Sequence, residues 1–160
     1  MMNYKTKEIS IDDFNKFYPI FEKSLFKNYT HIPLKRRKAF LKNKWSQETF
    51  KKRYKNKNIS IFITEKENEI IAYLVGSVEA GGIGLLRWVW VDKKHRRKGI
   101  AGNLIKRLEK WCKKNNCHKL RFITVTENKK FYIKQGFKLE GVRKKDRYKK
   151  DQYLFGKILD

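Results

Sequence analysis

The chain has 160 residues, enough for one domain with a sizeable core and too few for two comfortable ones. Its hydrophobic content of 40% and aromatic content of 14% exclude a disordered polymer. Its 41 Lys+Arg against 16 Asp+Glu, a net charge of +25, predict attraction to polyanions: an anionic cofactor, RNA, the ribosome or an acidic protein. A lysine-rich proteome would produce the same imbalance, so both readings stand. Two cysteines, Cys112 and Cys117, are too few for a secreted disulfide scaffold and have no His or Cys at zinc-ligand spacing. Free thiols in a reducing cytoplasm are expected, with no metal. The start, Met1-Met2-Asn3-Tyr4-Lys5, lacks the apolar core of a signal peptide, and no run approaches the ~20 apolar residues of a membrane span. The expectation is a soluble cytoplasmic protein without membrane contact.

In chain order, residues 3–9 alternate weakly and suggest an edge strand. Ser10-Ile11-Asp12-Asp13 reads as a helix start, with a hydroxyl cap and acids in the first turn. Phe14, Phe17, Tyr18, Phe21 and Leu25 then recur at helical spacing, a stripe that suits a core face better than a ligand site. Residues 33–58 are the most cationic stretch, with Leu34, Leu41, Trp45, Phe50 and Tyr54 as sparse anchors and Ser46 as a candidate cap. This predicts one broken helix or two short ones, either a solvated face or a surface that grips a polyanion or the substrate.

Ile59–Thr64 and Ile70–Val78 alternate and are β-branched, predicting a hairpin around a polar turn at 65–69. Gly81-Gly82 breaks the chain before the apolar strand Leu85–Val91. The basic turn Asp92–Lys98 follows, and then Gly99-Ile100-Ala101-Gly102-Asn103 heads an amphipathic helix marked by Ile100, Leu104, Leu108, Trp111 and Cys112. Lys119–Val125 is another strand, Glu127–Gln135 a short helix stopped by Gly136, and 137–142 and 152–159 are two last strands around a basic loop. No repeat or linker divides the chain, so residues 1–160 read as one α+β domain.

Strand, cationic glycine-containing turn and helix together aim backbone N–H groups, the positive end of a helix dipole and fixed cations at one point. A phosphate or pyrophosphate belongs there.

Arg96-Arg97-Lys98-Gly99-Ile100-Ala101 resembles the R/Q-x-x-G-x-G/A signature of the GNAT superfamily of N-acetyltransferases. It follows Val89-Trp90-Val91, where that family's V-x-P-x-x-R-G-x-G run begins. About 30 residues on, Asn128-Lys129-Lys130-Phe131-Tyr132-Ile133-Lys134-Gln135-Gly136-Phe137 is similar to the family's N…(L/F)-Y-x-K-x-G-F ending. Lys93 stands where a proline is common and Arg97 where a glycine is frequent. The resemblance covers residues 59–159; the first 58 match only in having a strand and one or two helices.

The resemblance implies a mixed, mostly antiparallel sheet of six or seven strands, splayed in the middle and flanked by about four helices. It implies acetyl-CoA as donor. Backbone N–H groups of Arg97, Lys98, Gly99, Ile100, Ala101, Gly102 and Asn103 would hold its pyrophosphate, with Arg96 and Lys98 adding charge. Val89, Trp90 and Val91 would border the pantetheine arm, and an N–H near Val91 would polarise the acetyl carbonyl. Tyr132 would protonate the departing thiolate or simply pack on the cofactor. Asn128 and Lys134 would contact the pantetheine or a phosphate, although Lys134 also reads as a solvated lysine. Glu79 is the first candidate for general base or else a surface acid, ahead of Glu127 and Asp92. His31, His95 and His118 are scattered singles. The acceptor is an amine on a protein N-terminus, a lysine or a small molecule, with a ribosome- or tRNA-linked one suggested by the charge. A basic RNA- or ribosome-binding module with an inactive acetyltransferase-like domain is the alternative. A monomer or a homodimer fits the family.

Overall fold

The computed structural model describes residues 3–125 and 128–160. Its strands are β1 Lys5–Glu8, β2 Ile59–Lys66, β3 Glu69–Glu79, β4 Ile83–Val91, β5 Lys119–Thr124, β6 Lys138–Arg143 and β7 Gln152–Ile158. They form one mixed sheet in the order β1-β2-β3-β4-β5-β7-β6. The helices among the described residues are α1 Phe14–Asn28, α2 Leu34–Lys42, α3 Gln47–Lys55, α4 Ile100–Lys114 and α5 Lys129–Lys134. Five helices rather than about four result because the 33–58 stretch divides in two. Asn43–Trp45 breaks it, and Ser46 Oγ caps α3 by accepting the Thr49 N–H at 3.3 Å. The expected helix 127–135 is described from Lys129; Glu127 lies outside the described residues.

Helix α1 starts later than its capping signal suggests. Asp13 accepts from the Ser10 N–H at 2.9 Å, and Ser10 Oγ accepts from the Asp13 N–H at 3.3 Å. These reciprocal bonds hold 10–13 in a turn, so Asp12 and Asp13 precede the helix instead of occupying its first turn.

Both sheet faces are covered, which is why β2 and most of β3 are buried residue after residue. On one face Phe14, Phe17 and Phe21 of α1 close on Phe50 of α3, with ring centroids 5.1–5.7 Å apart, over Tyr73 and Val75. The aromatic stripe is therefore core. On the other face Leu104, Ile105 and Leu108 of α4 pack over Ala72, Leu74, Leu120 and Phe122. A Cβ at Gly76 would run into Leu108, so glycine there lets α4 lie close to β3.

The centre of the sheet opens. Parallel strands β4 and β5 pair only between Ile83–Leu85 and Lys119–Arg121. Across β3 and β4, Val75 opposes Trp88 while Gly76 opposes Leu86, leaving Arg87 as an extra, unpaired residue. Such a bulge bends its strand. Leu86–Val91 thus diverges from Phe122–Thr124, and the gap between them is the splay that the family resemblance implies.

Candidate active site

The ladder's parity decides what the gap exposes. Asp92 N–H donates to Ile71 C=O at 2.8 Å, so Trp90 and Trp88 exchange bonds with Tyr73 and Val75. The peptide groups of Val89 and Val91 consequently point away from β3, into the gap. Their carbonyls each have one partner: the Tyr29 hydroxyl donates to Val89 C=O at 2.8 Å, and Arg96 Nε donates to Val91 C=O at 3.0 Å. Trp88 and Trp90 share the α1 face. Trp88 meets Tyr29 edge-on at 4.9 Å, and its indole Nε1 is buried without a partner among the described residues. Trp90 stacks on Tyr73 at 5.7 Å and donates to Asn28 at 3.0 Å. The valine side chains pack toward α4.

Beyond Val91, the Asp92 carboxylate accepts the Lys94 N–H at 2.9 Å and starts a 3-10 turn over Lys93–His95. That capping duty occupies the third candidate base. The chain enters α4 through two left-handed residues, Arg97 at φ 60° and Gly99 at φ 77°. The frequent glycine at the Arg97 position in relatives has its reason here, since a side chain in this conformation costs about 1–2 kcal/mol. Asn103 N–H donates to Gly99 C=O at 3.0 Å, so the N–H groups of Ile100, Ala101 and Gly102 precede the helical ladder. All four line the cleft with Gly99, and a Cβ on Gly99 would meet no protein atom within 4 Å. Free first-turn N–H groups, the helix dipole, open space and the flanking Arg96, Arg97 and Lys106 fit a pyrophosphate. Lys98 is not among the lining residues; its ammonium lies 3.4 Å from Lys94 O. Asn128 and Lys134 do line the cleft.

Tyr132 on α5 closes the gap from the β5 side. It is 8% exposed, and its ring lies 4.4 Å from Phe122, 5.1 Å from Phe131 and 5.4 Å from Phe155. Burial pushes its phenol up to about 12, so it is neutral at physiological pH. Tyr29, on the opposite wall, is also pushed up, first by burial and then by the charge an ionised Tyr132 would carry. Both tyrosines line the same cleft.

Glu79 ends β3 on the α1 face. One carboxylate oxygen lies 2.9 Å from Arg121 and the other 3.8 Å from Arg87, whose Nε donates to Ser77 Oγ at 2.8 Å. Of the histidines, His95 Nδ1 shares a 3.2 Å hydrogen bond with the Tyr4 hydroxyl. His31 lines the cleft with its pKa lowered by burial. The 33–58 stretch contributes Phe40, Lys44 and Trp45 to the wall. Cradle, gap and wall make one cleft of about 1840 Å³.

Sequence reasoning missed Tyr29, Arg87 and Arg147 as cleft residues, whereas Lys44 belongs to the 33–58 stretch read as either a solvated face or a surface gripping the substrate. Of the three, Arg87 alone carried a signal, a lone cation inside an apolar strand. Tyr29 lies one residue past α1, where no motif marks it.

The family model described as the acetyltransferase (GNAT) family matches residues 14–137. The chain belongs to that family. The match reaches well into the first 58 residues, where the motifs were silent. PaiA N-acetyltransferase from Thermoplasma acidophilum, solved with coenzyme A, superposes with a TM-score of 0.76 at 19% identity, covering 98% of this chain and 99% of its own. The GNAT-family acetyltransferase from Streptococcus pneumoniae gives 0.78 at 18% identity, covering 99% and 100%. The N-acetyltransferase from Staphylococcus aureus Mu50 gives 0.73 at 19% identity, covering 99% of each chain. No sequence among the curated proteins matches the chain.

Proposed function

We propose that the protein transfers the acetyl group of acetyl-CoA to a primary amine by direct attack of the amine on the thioester. One observation carries the reading: the α4 amide cradle and the β4–β5 gap open into the same cleft, at the two ends an extended phosphorylated thioester requires. Acetyl-CoA supplies the activated acyl carbon. The N–H groups of Arg97–Asn103 hold its diphosphate, with Arg96 and Arg97 adding charge, while Asn128 and Lys134 border the arm. Val89, Trp90 and Val91 form the strand edge beside it, and the Val91 N–H polarises the acyl oxygen, a role commonly worth about 3 kcal/mol. Tyr132, neutral and buried, donates its proton to the departing sulfur, and the proton that the attacking nitrogen sheds restores the phenol through solvent.

The ion pairs of Glu79 with Arg87 and Arg121 support a role in organising those side chains over the base role its position also offers. An acceptor that is partly neutral unaided suits such a site. An α-amine of pKa ~7.7–8 is about one-tenth neutral at pH 7, whereas lysine near 10.4 is less than ~0.1% neutral. The test is incubation with acetyl-CoA and amine mixtures, read by mass spectrometry. Acetylated amine and free coenzyme A should appear in equal amounts. Consumption of acetyl-CoA without any acetylated amine would overturn the reading.

A further inference from the structure

The acceptor end of the cleft holds more positive charge than its own acids balance. Lys44 stands between α2 and α3, Arg87 at the β4 bulge, Arg121 on β5 and Arg147 between β6 and β7, and all four line the cleft. Among the described lining residues the acids are Glu79 and Glu140. Glu79 is shared between Arg87 and Arg121, and Glu140 is held by Lys119 at 2.7 Å. Lys44 and Arg147 have no ion-pair partner among the described residues. The Lys44 side chain is exposed, yet partial desolvation of its ammonium lowers its pKa, followed by Arg87, Arg53 and Arg147, with Glu79 pulling the other way, so these charges lie within one another's field. Arg53 sits over the Trp45 ring at 4.5 Å, and Lys44 lies 5.9 Å from the same ring.

These cations sit on the α1 face. Ser77 and Glu79 continue the side of β3 that carries Tyr73 and Val75, and Arg87 donates to Ser77 and is ion-paired with Glu79. Arg121 lies between Leu120 and Phe122, which point to α4. The diphosphate cradle belongs to α4, which covers the other face, so the donor's phosphates would leave the cluster uncompensated. Four cations with Glu79 as their one near counter-charge are a cost that an incoming anion reduces.

We infer that the acceptor is an amine whose own molecule carries a carboxylate or phosphate, gripped by Lys44, Arg87 and Arg147 while its nitrogen enters the β4–β5 gap. The inference rests on the acetyltransferase reading.

Calorimetric titration of the full chain tests it. The protein is first saturated with coenzyme A at 0.15 M salt, which fills the diphosphate cradle. Phosphoethanolamine is then compared with ethanolamine, and β-alanine with β-alaninamide; the two pairs separate a phosphate requirement from a carboxylate one. At least one anionic member should bind tenfold or more tightly than its neutral partner. That preference should fall at least fivefold in Lys44→Ala/Arg147→Ala, two exposed side chains whose loss relieves repulsion and should not lower the melting temperature. Equal binding within both pairs, or a preference that survives the double variant, would overturn the inference. Failure of coenzyme A to bind in the first step would instead remove the acetyltransferase reading, and this inference with it.

Discussion

The Tyr29 hydroxyl donates to the Val89 carbonyl at 2.8 Å and ties the end of α1 to the strand bordering the gap. The bond gives a buried phenol a partner and holds the free edge of β4 where β5 has left it. Tyr29→Phe removes one hydrogen bond, worth about 1 kcal/mol net. The melting temperature should drop by about 2–4 °C for a chain of this size. Acetyl-CoA affinity should change little, because the Val89 N–H is untouched.

Tyr132 offers a proton from a buried ring. If it serves the departing thiolate, Tyr132→Phe should lower kcat about 100-fold, the low end for acid catalysis because a thiolate leaves readily. The dissociation constant for acetyl-CoA should stay within a factor of about two in direct titration, since the ring packing survives.

The same residue makes a pH prediction. Its folded pKa, about 12, lies above the ordinary value of 10.0 because burial penalises the phenolate. The neutral form's contribution to stability is therefore complete below about pH 10 and drains as pH rises toward 12. A pH–rate profile should show no loss assignable to Tyr132 below about pH 11; a tyrosinate absorbance change near pH 10 that tracks activity would contradict this.

Glu79 faces two guanidiniums, so Glu79→Gln should cost less than about tenfold in kcat, whereas a true general base would cost about 100-fold or more. An anionic acceptor should bind the variant more tightly, because one of the few acids of the cleft is gone.

Arg97 holds a left-handed backbone at φ 60°. Arg97→Gly removes about 1 kcal/mol of strain and adds a similar entropy to the unfolded chain, so the melting temperature should move by less than about 3 °C. Arg97→Ala keeps the strain. Acetyl-CoA affinity should fall by similar factors in both variants, since both lose the guanidinium.

Much of this site was legible because its signals are local. The turn from Asp92 to Gly99 announces a helix start by residue type, and β-branched alternation announces β2 and β3. The pairing Tyr132-x-Lys134-x-Gly136-Phe137 with Arg96-x-x-Gly99-x-Ala101 points to the family before any coordinate. What escaped notice depends on register. The extra residue at Arg87 emerges only when β4 is laid against β3, and that bulge swings the guanidinium toward Ser77 and Glu79. Lys44 lies in the cationic 33–58 stretch, but Arg147 is an ordinary cation in a chain of +25 until two separate connections bring the pair to one cleft. Net charge pointed to polyanions without locating them.

The central claim is that main-chain amides at the head of α4 grip a diphosphate. Melting curves with and without acetyl-CoA, for wild type and for Gly99→Glu, test it most directly. At a concentration 100 times the dissociation constant, bound ligand adds about 2.7 kcal/mol of stability, so the wild type should melt roughly 5–11 °C higher. Gly99→Glu, which places a carboxylate in the open space beside the cradle, should keep its own transition and show no shift. No shift in the wild type at millimolar acetyl-CoA, or an equal shift in both proteins, would contradict the account.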